Sequence, residues 1–232
     1  MKIPQLFLCL YHIFFPKLCI CCHNDISGSP EPVCGKCLDS LALTRFENWR
    51  GNRVEQMFWG RTKIEFAFAG YYFRKNETIQ NLIHRFKYHG ETDMAVMLGR
   101  QLGKMLKNSN NTYFDAVVPV PLHPIKKRIR GYNQCQFLAL GISQITGIPV
   151  ATDILMRTSY SESQTHKSRA DRQLSVSKAF AVTREATKWM GARLLLVDDV
   201  VTTGATIEAC CEALKAIPCV SIGVAAVGMA DS

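Results

Sequence analysis

Apolar positions along this chain change period in an order that reads as alternating strands and helices. Residues 66–73 form a short apolar run of strand length. Ile79, Leu82, Ile83 and Phe86 then recur at helical spacing and give way to Lys87-Tyr88-His89-Gly90. Met94, Met97, Leu98, Leu102 and Met105 predict a second helix, followed by a polar turn at 108–111. These stripes read as core and carry no assigned chemistry. Residues 114–120 predict a buried strand with Pro119 near its end. After a turn through Pro121, Leu122, His123 and Pro124 come a basic run and a helix bearing Phe137, Leu138, Ile142 and Ile145. Residues 150–156 predict another strand, and 157–178 a long polar, charged connection. Residues 194–197 are apolar on both faces. Ile207, Cys210, Cys211, Leu214 and Ile217 return to helical spacing until Pro218 ends the run, and 220–227 predict a last strand. Continuous apolar strands separated by helices argue for a parallel sheet covered on both faces, an α/β fold. His84, His89 and His123 read as surface or packed residues, not as bases.

The front of the chain departs from this rhythm. Residues 3–15 are oily, but Pro4 and His12 interrupt them and no small-residue cleavage pattern follows. Leu6, Leu10, Ile13 and Phe14 fall at helical spacing, so the expectation is a short amphipathic helix packed on the domain, with peripheral membrane contact as the alternative. No run reaches the roughly 18 apolar residues that span a bilayer, so no stable membrane span is expected. Then come two Cys-x-x-Cys knuckles, Cys19 with Cys22 and Cys34 with Cys37, joined by a Gly-, Ser- and Pro-rich loop. That spacing lets both sulfurs of a knuckle reach one tetrahedral ion, and four thiolates close its coordination, so a structural Zn²⁺ is expected. An iron–sulfur cluster and a pair of disulfides are the alternatives. Cys21 is spare, and His23 could replace Cys22. The other cysteines, Cys9, Cys135, Cys210, Cys211 and Cys219, sit in apolar patterns as expected buried thiols. This layout suits a reducing cytoplasm. The organisation so read is a helix and metal-ribbon module over residues 1–60 and an α/β domain over 61–232.

Charge narrows the partners. With 28 Lys and Arg against 19 Asp and Glu in 232 residues, the formal net charge is +9, which favours nucleotides, phosphosugars or nucleic acid without choosing among them. The stretch over 194–206 adds chemistry: an apolar strand feeds Asp198 and Asp199, then Val200, Val201, Thr202, Thr203, Gly204, Ala205 and Thr206. Adjacent carboxylates can accept hydrogen bonds from vicinal ribose hydroxyls. Backbone N–H groups and Thr hydroxyls at a helix mouth can wrap a phosphate. Gly204 lets the backbone close on an anion without a Cβ in the way. No Gly-Lys-Ser/Thr follows, which argues against an ordinary nucleoside triphosphatase. Lys126, Lys127, Arg128 and Arg130 stand between a strand end and a helix start, where Arg offers planar donors to a diphosphate. The connection 157–178 reads as a functional lid or a disordered segment, and a lid would exclude water from a reactive sugar.

The 194–206 stretch resembles the phosphoribosyl-pyrophosphate (PRPP) loop of type I phosphoribosyltransferases. Further motifs stand in order around it: residues 15–16 before the knuckles, 82–88, 118–121, 128–134, Gln164-Thr165 with Arg169 and Arg172, and 179–180. Together they resemble the ComF family. That resemblance implies an N-terminal zinc ribbon and a type I phosphoribosyltransferase-like domain, a parallel sheet flanked by helices. It implies a PRPP site made of Asp198, Asp199, Val200, Thr202, Thr203, Gly204, Ala205 and Thr206. Asp198 and Asp199 would face the ribose in the catalytic position. Lys126, Arg128 and Arg130 would approach the pyrophosphate together with Mg²⁺. Gln164, Lys167, Arg169 and Arg172 would form the lid, in which Ser175 and Lys167 depart from the family pattern. The family is tied to DNA uptake and internalised single-stranded DNA. Three functions follow: an active phosphoribosyltransferase, a PRPP or nucleotide sensor acting through protein contacts, and a single-stranded-DNA factor working with DNA-processing proteins.

Overall fold

The computed structural model describes residues 14–74, 77–109, 113–158 and 179–230. The expected front helix, apart from Phe14, and the lid residues Gln164, Lys167, Arg169 and Arg172 lie outside them. The chain forms two compact units, Met1–Ala42 and Leu43–Ser232. Residues 43–60, assigned by the sequence reading to the front module, therefore belong with the α/β unit.

In the first unit an antiparallel bridge joins Leu18 to Asp25, and a single-turn helix α1, Gly35–Asp39, follows Cys34. The first knuckle is closed by backbone bonds from Cys19 N–H to Asn24 O and from His23 N–H to Cys19 O, both 2.8 Å. Ile20 N–H reaches Pro32 O at 3.1 Å and ties the first knuckle to the approach to the second. Cys19, Ile26, Val33 and Leu41 are buried. A core this small needs a staple such as a metal to persist.

The second unit begins with a 3-10 turn, Phe46–Asn48, and a one-turn helix α2, Arg53–Gln56. Asn52, fully buried, organises both. Its Oδ1 accepts from Val54 and Glu55 N–H at 2.9 and 3.1 Å. Its Nδ2 donates to Phe46 O, Trp49 O and Ala67 O at 3.3, 2.9 and 2.8 Å. A buried amide is tolerable only when satisfied in this way. Strand β1, Phe66–Phe73, is followed by α3, Thr78–Tyr88, and α4, Thr92–Asn108. The stripes predicted from sequence are buried apart from Met105, which is half-buried: Ile79, Leu82, Ile83 and Phe86 on α3, and Met94, Met97, Leu98 and Leu102 on α4. Strand β2, Ala116–Pro119, leads to α5, Pro124–Arg130, and α6, Gln134–Thr146. The basic run is thus a helix, not a loop. Pro124 fits the first helical turn, and His123 caps it by accepting from Ile125 N–H at 3.1 Å.

A short antiparallel pair, β3, Leu155–Arg157, with β4, Phe180–Val182, flanks the expected lid segment. The strand expected over 150–156 is therefore shorter, and Val150 makes only an isolated bridge to Val117. A 3-10 segment, Arg184–Trp189, precedes β5, Arg193–Val201, which is followed by α7, Ala205–Leu214, and β6, Ser221–Ala230. The main sheet is parallel throughout, in the order β1-β6-β5-β2. Strands β1, β5 and β6 are buried along most of their length, as their two-sided apolar runs require. Helices α4 and α6 cross in close contact. A Cβ on Gly99 would lie 2.2 Å from Leu138 O, and one on Gly141 would lie 2.1 Å from Val96 O. Cys135, Cys210 and Cys211 are buried as expected, but Cys219 is exposed, at a positive φ of 58° in the turn before β6.

Candidate functional site

Strand β5 extends four residues beyond the apolar run, so Asp198 and Asp199 lie inside the strand near its carboxyl end, the edge at which ligands gather in parallel α/β sheets. Asp198 pairs in register with Ala226 of β6. Both acids are nearly buried, 9% and 6% exposed. Each is held by partners from other elements. Asp199 Oδ1 meets Lys87 Nζ, from the last turn of α3, at 2.8 Å, and its Oδ2 accepts from Gln134 Nε2 at 2.8 Å. Gln134 Oε1 in turn accepts from Arg130 Nη1 at 2.6 Å. Asp198 Oδ1 accepts from the N–H of Asp199 at 2.8 Å and from the Cys135 thiol at 3.5 Å.

The first turn of α6 is placed for this by its cap. Asn133 accepts from Cys135 N–H at 3.1 Å and donates to Val120 O at 3.0 Å, which ties the helix start to the end of β2. Burial, reinforced by the charge of Asp199, raises the Asp198 carboxyl from its ordinary 3.8 to about 7. Burial also pushes the Cys135 thiol well up, with both acids adding to the effect. That thiol is a donor here, not a nucleophile.

The acids open onto a cavity of ≈ 250 Å³ whose walls include Lys87, Lys126, Arg130 and Arg157. Four cations face two carboxylates, so the hollow favours an anion. Arg157, on β3, has its guanidinium over the Phe180 ring at 5.1 Å. Its Nε is buried with no hydrogen-bond partner among the described residues. A buried donor left open in this way fits a ligand acceptor.

Of the residues expected here, Asp198, Asp199, Val200, Thr206, Lys126 and Arg130 line one hollow. Thr202, Thr203 and Gly204 form the turn before α7 and Ala205 opens that helix; none of the four is among the lining residues, and Arg128 is exposed on α5 and lines none of it. The turn is braced from behind. Gly204, at φ +77°, caps α7 with the Phe58 ring against its Cα. Arg61 donates to Thr203 O at 3.1 Å and pairs with Glu208.

Sequence reasoning missed Lys87, Gln134, Cys135 and Arg157. Lys87 lies beside the apolar stripe of α3 and inside the 82–88 motif, but neither signal assigned it to the acids. For Gln134 and Cys135 no one-dimensional pattern announces a carboxylate partner 65 and 63 residues away along the chain, and none places Arg157 in the same cavity.

In the first unit, Cys19, Cys22, Cys34 and Cys37 place their sulfurs within 4.8 Å of one another. Cys22 and Cys34 are 3.7 Å apart, close to the edge of about 3.8 Å that a tetrahedron with 2.3 Å metal–sulfur bonds requires. The N–H of Cys34 points at Cys19 Sγ at 3.3 Å. Burial pushes the Cys19 thiol up, but backbone N–H groups of Cys34, Cys22 and Cys21 outweigh it and bring the value to about 6. The cluster could hold a metal ion, and the described cysteines are free thiols.

Comparison with known proteins places these features in context. A family model described as a phosphoribosyl transferase domain matches residues 136–229. The chain is 30% identical over 202 residues to competence protein F of Haemophilus influenzae, covering 85% of this chain and 83% of that one. It is 24% identical to competence protein ComFC of Bacillus subtilis, covering 83% and 75% of the two chains. It is 28% identical to the DNA utilization protein YhgH of Salmonella typhimurium, over 54% of this chain and 56% of that one.

Proposed function

Because the chain belongs to the ComF family and carries a phosphoribosyltransferase domain, we propose that its cavity binds PRPP, and that the protein serves DNA uptake and the handling of internalised single-stranded DNA. One observation carries the binding reading: two buried acids and four cations share one hollow at the carboxyl end of β5. In this reading Asp198 and Asp199 hold the ribose hydroxyls. Thr206 and the turn Thr202, Thr203, Gly204 and Ala205 receive the 5-phosphate at the start of α7. Lys126, Arg130 and Arg157 take the pyrophosphate. Gln164, Lys167, Arg169 and Arg172 would cover the ligand.

Lys87 must share Asp199 with the sugar, so binding exchanges an internal ion pair for ligand contacts. Mg²⁺ suits carboxylate and phosphate oxygens; Asp198 and Asp199 would be its protein contacts, and when bound it would neutralise phosphate charge. Zn²⁺ suits the four thiolates of Cys19, Cys22, Cys34 and Cys37 and would act structurally. The role in DNA is supported by the names of the relatives, competence protein and DNA utilization protein. No helix among the described residues is long and apolar enough to cross a membrane, and the free thiols support a cytoplasmic setting.

Titration calorimetry with PRPP and Mg²⁺ tests the site. Asp198→Asn combined with Asp199→Asn should remove binding while the melting transition persists; unchanged affinity would sink the assignment. Whether the site also turns over is a second question, opened by the four cations that could stabilise a departing pyrophosphate. Incubation with PRPP, Mg²⁺ and a panel of nucleobases answers it. Pyrophosphate release with one base selects the transferase, and binding without release selects a PRPP-responsive DNA factor.

A further inference from the structure

Gln134 opens α6 and is only 6% exposed, and the PRPP reading gives it no task. Its side chain stands between two groups that the reading assigns to different parts of the ligand. Nε2 donates to Asp199 Oδ2 at 2.8 Å, and Oε1 accepts from Arg130 Nη1 at 2.6 Å. A carboxylate accepts and a guanidinium only donates, so the amide has one satisfied orientation. The bridge ties β5 to the last residue of α5, across the helix break at Gly131, whose φ is +84°. Each neighbour is also held from a second side. Lys87 Nζ meets Asp199 Oδ1 at 2.8 Å, and the Arg130 guanidinium lies 5.1 Å from the centre of the Tyr88 ring. Without the amide, no hydrogen bond among the described residues would fix the span from the acid to the guanidinium.

We propose that Gln134 is a positioning residue that makes the site selective for a pentose still carrying its diphosphate. The inference rests on the PRPP reading, in which Asp199 takes ribose hydroxyls and Arg130 takes pyrophosphate. Holding those two groups at a fixed span supplies in advance the order that a ligand reaching both would otherwise have to impose. A ligand that reaches only one of them gains nothing from the span. Ribose 5-phosphate offers hydroxyls to the acid but no diphosphate to Arg130. Inorganic pyrophosphate meets Arg130 and brings no hydroxyl. Both bonds of the bridge involve a charged partner and are shielded from water, which strengthens them. Gln134 acts through the two side chains it joins and needs no contact with the ligand.

Calorimetry on the full chain with PRPP, ribose 5-phosphate and pyrophosphate, each with Mg²⁺, tests the proposal. Gln134→Met keeps the length of the side chain and removes both hydrogen bonds. It should weaken PRPP binding roughly tenfold or more, and binding of each of the other two ligands by less than about threefold. Equal weakening of all three, which a general loosening of the cavity would give, overturns the proposal, as does an unchanged affinity for PRPP. Gln134→Glu is the second variant, should Gln134→Met fail to fold. When ionised it still accepts from Arg130 but has no donor for Asp199. Pyrophosphate affinity should then hold within about threefold while PRPP affinity falls as before. Full PRPP affinity in Gln134→Glu would show that the bond to Asp199 does nothing and would also overturn the proposal. The unmodified chain separates the two readings. If it binds PRPP and neither variant alters the selectivity, this inference alone fails; if it binds no PRPP, the earlier reading fails and takes this one with it.

Discussion

Asp198 bears a large electrostatic cost. Its carboxyl is raised from 3.8 to about 7, first by burial and then by Asp199. The native state therefore holds a proton that the unfolded chain has released between about pH 4 and pH 7. The stability that comes from keeping this acid neutral is full below the unfolded value and is lost as pH rises through that window. Asp198→Asn should flatten the pH dependence of the melting temperature there and raise stability near neutrality; an unaltered slope would contradict the burial argument. Gly204 is constrained differently. Its φ of +77° disfavours any side chain, and a Cβ would meet the Phe58 ring at 2.8 Å. Gly204→Ala should cost about 1–3 kcal/mol by chemical denaturation and weaken phosphate-ligand binding through displacement of the turn. Both acids and this glycine stood out in the sequence by type and spacing as expected site residues. Their partners Lys87, Gln134 and Cys135 were not, because a hydrogen bond across the fold leaves no periodic trace.

At the level of elements, the crossing of α4 and α6 sets how closely the start of α6 approaches β5. Alanine is worth about 1 kcal/mol over glycine in a helix, but a Cβ at 141 would stand 2.1 Å from a backbone oxygen of α4, where no rotamer change relieves it. The steric effect wins. Gly141→Ala should lower stability by about 2 kcal/mol or more, measured by denaturant unfolding, and a neutral or stabilising result would show that the helices can part. The front knuckles obey a different rule, since a core of a few buried side chains would gain its order from a metal held by the four thiols, as proposed above. Elemental analysis should find one metal equivalent in the unmodified chain and none in Cys34→Ser, together with loss of order in the first unit; a metal-free native protein would refute ligation. The helices of the α/β unit were legible because their apolar stripes bury against the sheet. Helix α5 was not, since its basic residues surround the exposed pair Ile125 and Ile129, it buries no side chain, and its start depends on Pro124 and the His123 cap.

For the molecule as a whole, the +9 charge matters only through where it is concentrated. If single-stranded DNA is the partner, log affinity should fall linearly with log salt, with a slope of about −0.7 per phosphate neutralised; a flat response would remove the electrostatic basis for that role. Local order determined much of this protein. Two-sided apolar runs fix a parallel sheet, helical stripes fix its cover, and Cys-x-x-Cys spacing fixes a candidate metal knuckle, because each depends on neighbours within a few residues. Tertiary structure alone decided the rest: that Asn52 ties residues 43–60 to β1, that Lys87 pairs with Asp199, and that Arg157 reaches the cavity of the two acids. The physical reason is range. Backbone periodicity is set by local sterics and hydration, whereas burial of a charge, and the partner that makes it bearable, are properties of space that the linear order of residues does not contain.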